Sequence, residues 1–373
     1  MRPRSSFAGA AIEVSDLARS VAFHRLWLPM LGFHRVWASP DRVMWSRGYD
    51  HFVMRQAKDG ATHGPGALWL AVSAESRAQV DQVFAELRDA GAEIIQSPRE
   101  LDYFAPGYYS VGFRDPDGVP IEVAHRWDEL PDLADAEQVR VPGHGVSLGG
   151  YFFKPQAGTP PHPALLLLHG FAGHAHTMVG LARAASANGY AALALSLRGW
   201  LGSEGESDQG LRQPLDVLAA IDWFAKRPLV DHNRLGLVGA SMGGQVALLA
   251  AAHKPPVKAV ASFFAPTDLA RWREANPFVR DYLDDLCGPE GLPVRSPILR
   301  VAQIDAPVLL IHGDRDENVP VAQTLAMAEA LRNHGKDVEA FVMAGATHYF
   351  TEQQNAIARR KLFDFLRRHL TLT

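Results

Sequence analysis

A chain of 373 residues with 47% hydrophobic and 21% charged residues has the material for two or three domains with full cores, without help from disulfides. Lys and Arg number 37 against 41 Asp and Glu, and this net charge of −4 gives no reason to expect nucleic acid or a membrane as partner. The single Cys287 excludes an internal disulfide and no apolar run suits a leader or a membrane span, so a cytoplasmic protein is expected.

In chain order, residues 10–14 read as a strand, 17–31 as a helix, and 33–37, 42–45 and 51–55 as strands. A second pass repeats the scheme, with a strand at 67–73, a helix at 76–90, and strands at 93–96, 108–114 and 120–125. Ser15 or Asp16 suits the N-cap of the first helix, and Ser73 or Ser76 that of the second. A βαβββ unit cannot close its own sheet, so two such units must pair to bury their faces. The acidic stretch 128–138 lacks a strand pattern and reads as a linker. Beyond it, strands at 146–154, 164–168, 191–195, 235–238, 259–264, 308–312 and 338–343 alternate with helices near 177–188, 209–225, 243–253, 321–334 and 352–369. That alternation predicts a mostly parallel α/β sheet, and the uninterrupted apolar run 164–168 suits a strand covered on both faces. The expected organisation is an α+β domain of βαβββ repeats over 1–127, a linker over 128–138 and an α/β catalytic domain over 139–373.

Two stretches of the first half carry a resemblance: Val14-Ser15-Asp16-Leu17-Ala18-Arg19-Ser20-Val21-Ala22-Phe23 and Phe113-Arg114-Asp115-Pro116-Asp117-Gly118-Val119-Pro120-Ile121-Glu122-Val123. They are similar to the vicinal oxygen chelate superfamily of glyoxalase I, extradiol dioxygenases and bleomycin-resistance proteins. The resemblance implies a metal held by a His on the first strand of each module and a Glu near the end of the last. Glu122 fills the Glu position, but the His positions hold Gly9 and Trp69, and one carboxylate does not hold a catalytic divalent ion alone. His51, His63 and His125 are the residues that would have to compensate. A metal-free half is expected, serving as a binding cup, a lid or an assembly surface.

In the second half, Gly239-Ala240-Ser241-Met242-Gly243 follows an apolar strand and opens into a helix. That is the setting in which G-x-S-x-G forms a nucleophile elbow, with the serine raised above the sheet and a helix N-terminus behind it. A serine needs a base, and the base an orienting acid. For the acid, Asp314 and Asp316 compete within Ile311-His312-Gly313-Asp314-Arg315-Asp316-Glu317-Asn318-Val319-Pro320. For the base, His348 stands in Gly345-Ala346-Thr347-His348-Tyr349-Phe350, after the last strand and before the terminal helix. The backbone N–H of Met242, next to the nucleophile, is the first candidate for an oxyanion hole.

These motifs, in this order over 139–373, resemble α/β-hydrolases, and the acid segment is similar to the H-G-x-x-D-x-x-V-P signature of the prolyl-oligopeptidase-like and dienelactone-hydrolase-like branches. The resemblance implies Asp316 as the acid, with Asp314 capping the turn. His169-Gly170-Phe171-Ala172-Gly173 is similar to the oxyanion loop of these enzymes, which implies the Phe171 N–H as second donor and its ring in the acyl pocket. Arg198-Gly199-Trp200-Leu201-Gly202-Ser203-Glu204-Gly205 is similar to their R-G-x-G-x-S-x-G loop, with Trp200 as a pocket wall. His169 is expected to brace its loop, and His174 and His176 lack the carboxylate that would complete a metal site. Cys287 lies in the insertion 267–303 and reads as a bystander to the elbow serine.

The resulting expectation is a serine hydrolase that cleaves a small carboxylic ester through an acyl-enzyme, with no cofactor. The alternatives are a serine peptidase of the prolyl-oligopeptidase kind, or a metal-dependent lyase, dioxygenase or sequestering function in the first half. Esters are preferred because members of that kind carry a β-propeller where this chain has another module. The insertion 267–303, which contains Trp272, Phe278 and Tyr282, is short for a full lid, so the first domain is expected to lean over the sheet's carboxyl edge and narrow access, and sheet edges in that domain suit a homodimer.

Overall fold

The computed structural model describes residues 9–47, 50–57, 70–100, 108–125, 133–171, 173–200, 202–275 and 277–370. The chain forms two compact units, Met1–Leu130 and Pro131–Thr373.

The first unit contains two modules of one design. The first runs β1 (Gly9–Val14), α1 (Leu17–His24), β2 (His34–Ser39), β3 (Arg42–Arg47) and β4 (Asp50–Gln56), with sheet order β1-β4-β3-β2. The second runs β5 (Leu70–Ala74), α2 (Arg77–Asp89), β6 (Ile94–Glu100), β7 (Tyr109–Arg114) and β8 (Pro120–His125), with order β5-β8-β7-β6. Asp16 caps α1 by accepting from the Arg19 N–H, and Ser76 caps α2 through the Gln79 N–H. One core serves both modules, drawing Ile12, Trp45 and Met54 from the first and Val83, Phe113 and Val123 from the second. Asp117 accepts from the Ser15 N–H at 3.1 Å and pairs with Arg19 at 2.9 Å, so the two stretches that carried the family resemblance are joined.

A single helix over 17–31 is not what forms. The α-helix stops at His24, and Leu28–Leu31 is a separate 3₁₀ turn containing Pro29 and closed by Gly32 at a φ of +79°. Proline lacks the N–H and clashes with the carbonyl four residues back, which bars a continuous helix there. Of the expected strand over 67–73, residues 67–69 lie outside the described residues, and β5 begins at Leu70.

The second unit starts earlier than the expected linker allows. Its strand β9 (Ala136–Pro142) pairs antiparallel with β10 (Ser147–Phe153), so 136–138 belong to the sheet. Val139 and Val141 point inward, whereas Glu137, Gln138 and Arg140 face solvent, which hides the strand in a polar sequence. There follow β11 (His162–Leu168), α3 (Val179–Ala187), β12 (Ala191–Leu195), α4 (Gln213–Phe224), β13 (Val230–Ala240), α5 (Met242–Ala251) and β14 (Val257–Phe263). The chain continues through α6 (Leu269–Ala275), α7 (Pro277–Cys287), β15 (Val308–Gly313), α8 (Ala322–Asn333), β16 (Val338–Met343) and α9 (Glu352–Leu370). Helix α4 begins at Gln213 and not at 209, because Gln209 and Gly210 take φ of +48° and +89°.

These strands form an eight-stranded sheet of order β16-β15-β14-β13-β11-β12-β10-β9, parallel from β12 through β16. One core, with α4, α5 and α8, covers one face, and a second, with α3 and α9, covers the other. Every residue of α5 is buried. A Cβ at Gly243 would lie 2.3 Å from the Leu168 carbonyl oxygen, so only glycine lets α5 approach β11 this closely. No helix among the described residues is long and apolar enough to cross a membrane.

Candidate active site

At the carboxyl end of β13 the chain turns into α5 through Ser241, whose φ is +52°. That conformation is costly for a residue with a Cβ, on the order of 1–3 kcal/mol, and is held here by the packing of β13 and α5. The Ser241 N–H donates to the Phe263 carbonyl at 2.8 Å, which ties the turn to β14.

His348, in the loop between β16 and α9, places Nε2 3.2 Å from Ser241 Oγ. Its Nδ1–H donates to Asp316 Oδ2 at 2.6 Å, because a carboxylate oxygen can only accept. Asp316 follows β15, and its Oδ1 accepts the N–H groups of Asn318 at 3.0 Å and Val319 at 2.8 Å. Burial pushes the Asp316 carboxyl up, but hydrogen bonds from His312 and His348, the His348 charge and the Val319 N–H outweigh it and hold it below the ordinary value. Three residues far apart in sequence therefore lie on one hydrogen-bonded line. Asp314 lies outside that line. Its Oδ1 accepts from the Gly345 N–H at 2.7 Å and braces the loop that carries His348.

The loop after β11 runs against Ser241, since a Cβ at Gly170 would lie 3.3 Å from Ser241 Cβ. His169 is completely buried; its Nε2 accepts the Leu197 N–H at 2.9 Å and its Nδ1–H donates to the Gly170 carbonyl at 2.7 Å. Burial lowers its pKa to about 4, so the ring is a neutral brace at pH 7. Phe171 comes next, and Met242 is the first residue of α5, where an N–H has no acceptor within the helix. The half-exposed ring of Phe171 meets Trp200 at 5.1 Å and Tyr282 at 5.5 Å, both edge to face. Ala172 and Leu201 lie outside the described residues.

Several residues around the site carried no functional reading in the sequence. Phe264, at a φ of +39°, sets its ring 4.6 Å from the His348 imidazole. The Tyr282 hydroxyl donates to Gln209 at 3.1 Å, and Gln209 Nε2 donates to Gln245 on α5 at 2.8 Å. Burial pushes the Tyr282 hydroxyl up to about 12, so it stays protonated. Asn318 accepts from Trp272 Nε1 at 2.7 Å and donates to the Tyr349 hydroxyl at 2.6 Å. This ties the insertion to the loops carrying Asp316 and His348. His312 belongs to the motif that locates Asp316, and no local pattern in the sequence marks a role for its imidazole.

His176 stands 3.2 Å from His174 and 3.1 Å from the Tyr151 hydroxyl. Cys287 ends α7, and burial raises its thiol pKa. In the first unit, Gly9 pairs with His51 across β1 and β4, while His63 and Trp69 lie outside the described residues. Glu122 is buried on β8; His125, three residues on and so on the opposite face, donates to the Ala74 carbonyl at 3.2 Å. Among the described residues no group of three His, Cys, Asp or Glu is arranged to hold a metal.

Comparison with known proteins agrees with this two-part organisation. Residues 183–373 match the model of the prolyl oligopeptidase family, and residues 7–123 that of the Glyoxalase/Bleomycin resistance protein/Dioxygenase superfamily. The uncharacterized peptidase YuxL of Bacillus subtilis is 27% identical over 242 residues, covering 60% of this chain, which spans 36% of the length of that relative. Among solved structures, a Mycobacterium tuberculosis puromycin-hydrolyzing peptidase aligns with a TM-score of 0.59 at 24% identity, over 71% of this chain and 44% of its own. A Pyrococcus furiosus esterase aligns with a TM-score of 0.56 at 20% identity, over 66% of this chain and 95% of its own. At these identities the two structures speak to the fold alone.

Proposed function

The chain belongs to the prolyl oligopeptidase family, and from that premise we propose that it is a serine peptidase acting on small peptides or N-acylated amides through an acyl-enzyme on Ser241. The observation that carries this reading is the unbroken line Ser241–His348–Asp316, set at a strained elbow above a parallel sheet. Ser241 Oγ attacks the carbonyl carbon while His348 Nε2 takes its proton, and Asp316 steadies the resulting imidazolium. The N–H groups of Met242 and Phe171 receive the developing oxyanion, each worth roughly 2.7–4 kcal/mol in a water-excluded site. An amide nitrogen leaves only when protonated, and His348 returns the proton it took. Water then repeats the sequence on the acyl-enzyme.

The names of the family and of the Bacillus relative favour amides over the ester expected from the sequence. Ester cleavage stands as the second reading, because the catalytic fold also matches nearly the whole length of an archaeal esterase. Fluorophosphonate labelling followed by mapping of the modified residue tests the mechanism, and Ser241 is the expected site. A pair of substrates with one acyl group, a p-nitroanilide and a p-nitrophenyl ester, then tests the leaving group. Anilide turnover that disappears in Ser241→Ala supports the peptidase. Ester turnover without any anilide turnover replaces it with the esterase, and labelling elsewhere than Ser241 removes both.

A further inference from the structure

Behind the acid of the site lies a second imidazole. His312 is the fifth residue of β15, fully buried, with contacts at both ring nitrogens. Nε2 is 2.7 Å from the Val319 carbonyl oxygen and 3.1 Å from Asp316 Oδ2, and Nδ1 is 2.8 Å from the Thr324 hydroxyl at the start of α8. A carbonyl oxygen only accepts, so Nε2 carries the proton; in the neutral ring Nδ1 then accepts from the Thr324 hydroxyl. The Nε2 proton faces two oxygens on the same short loop, one from the Asp316 side chain and one from the Val319 main chain.

Four donors surround the Asp316 carboxylate. Oδ1 takes the Asn318 and Val319 N–H groups, and Oδ2 takes His348 Nδ1–H and faces His312 Nε2–H. With His312 removed, Oδ2 has one fixed donor in place of two, and the Val319 carbonyl that closes the loop loses its partner. Oδ1 stays on its two main-chain donors, so the carboxylate is left to pivot about Oδ1, and a small swing of Oδ2 tilts the imidazole it orients.

We infer that His312 is a positioning residue for the reaction, holding Asp316 in the rotamer that aims Oδ2 at His348 Nδ1, with Thr324 fixing the tautomer that lets it do so. This rests on the reading of Ser241, His348 and Asp316 as the reacting set. It concerns the chemical step and not substrate capture, because His312 is sealed beneath the site.

The test compares kcat and KM on the anilide or ester that the full chain turns over, together with the rate of fluorophosphonate labelling and the melting temperature. His312→Leu removes the donor, and about a hundredfold loss of kcat with KM within about twofold is expected, the usual cost of a misplaced catalytic group. His312→Gln puts an amide N–H near the place of Nε2 and is expected to recover about tenfold of that loss. Thr324→Val keeps the shape and loses the hydroxyl, and about a fivefold fall in kcat is expected, on the scale of one neutral hydrogen bond. The labelling rates should fall in the same order. Folded His312→Leu with wild-type kcat overturns the inference, as does equal loss in His312→Leu and His312→Gln at equal melting temperatures. If His312→Leu does not fold, Thr324→Val with unchanged kcat overturns it. Absence of labelling at Ser241 in the unaltered protein instead sinks the parent reading, so the two failures are told apart.

Discussion

The ring of Phe264 lies 4.6 Å from the imidazole of His348, at a tilt of 58°, on a backbone held at a φ of +39°. An aromatic residue in that region is an outlier, and the Phe264 N–H is pinned there by the Ile311 carbonyl at 2.7 Å. The ring thus lies beside the imidazole that becomes positive in the proposed mechanism. Phe264→Leu keeps apolar bulk and loses the π face, so kcat is expected to fall roughly five- to tenfold with the melting temperature little changed. Steady-state kinetics beside a thermal melt reads this out, and an unaltered kcat removes the assignment.

His169 gives stability a pH dependence with a definite sign. Its folded-state pKa is about 4 against 6.5 for the free side chain, so the unfolded chain binds a proton between these values that the folded one does not. Stability from this residue is complete above about pH 6.5 and is lost as pH falls towards 4, by roughly 3 kcal/mol in total. Urea unfolding at pH 7 and pH 4.5 measures it. His169→Gln should show a shallower decline over the same window, and parallel declines would count against the buried neutral ring.

Phe171 separates its main chain from its side chain. Phe171→Ala leaves the N–H in place and removes the half-exposed ring that meets Trp200 and Tyr282. For substrates with a bulky apolar acyl group, KM is expected to rise about tenfold while kcat stays within about threefold, the signature of lost uniform binding. A fall confined to kcat would mean that the loop itself had shifted.

Two glycines on helices should answer oppositely to alanine. At Gly243 an added Cβ would meet the carbonyl oxygens of Leu168 at 2.3 Å and His169 at 2.5 Å, main-chain atoms that cannot swing aside. Gly243→Ala is expected to cost at least about 3 kcal/mol and to displace Ser241. At Gly180, in α3, no atom lies within 4 Å of the added methyl, and Gly180→Ala should stabilise by about 0.5–1 kcal/mol. Chemical denaturation of the pair checks both signs.

The parts of the site visible in the sequence were those written as local motifs after apolar strands. Ser241, Asp316 and His348 could be nominated because each sits where a strand ends, although 107 residues separate the first from the last. Phe264 could not, since its backbone strain comes from the neighbouring strand and no local pattern marks it. Gln209 is similar, placed at a positive φ by bonds to Gln245 and Tyr282. Helix α7 is a different case. Val279 and Leu283, four apart and buried, are a helical signal, obscured by the prolines and charges around them. Strand β9 went unread because Val139 and Val141 are too few apolar residues for an edge strand to stand out.

The complete wrapping of α5 has a consequence for how the protein breathes. Its hydrogen-bonded amides, from Gln245 onward, are shielded by packed elements, so their deuterium uptake is expected to wait for the sheet itself to come apart, at nearly the global unfolding free energy. Ser241 thus stands at the head of the segment expected to exchange most slowly.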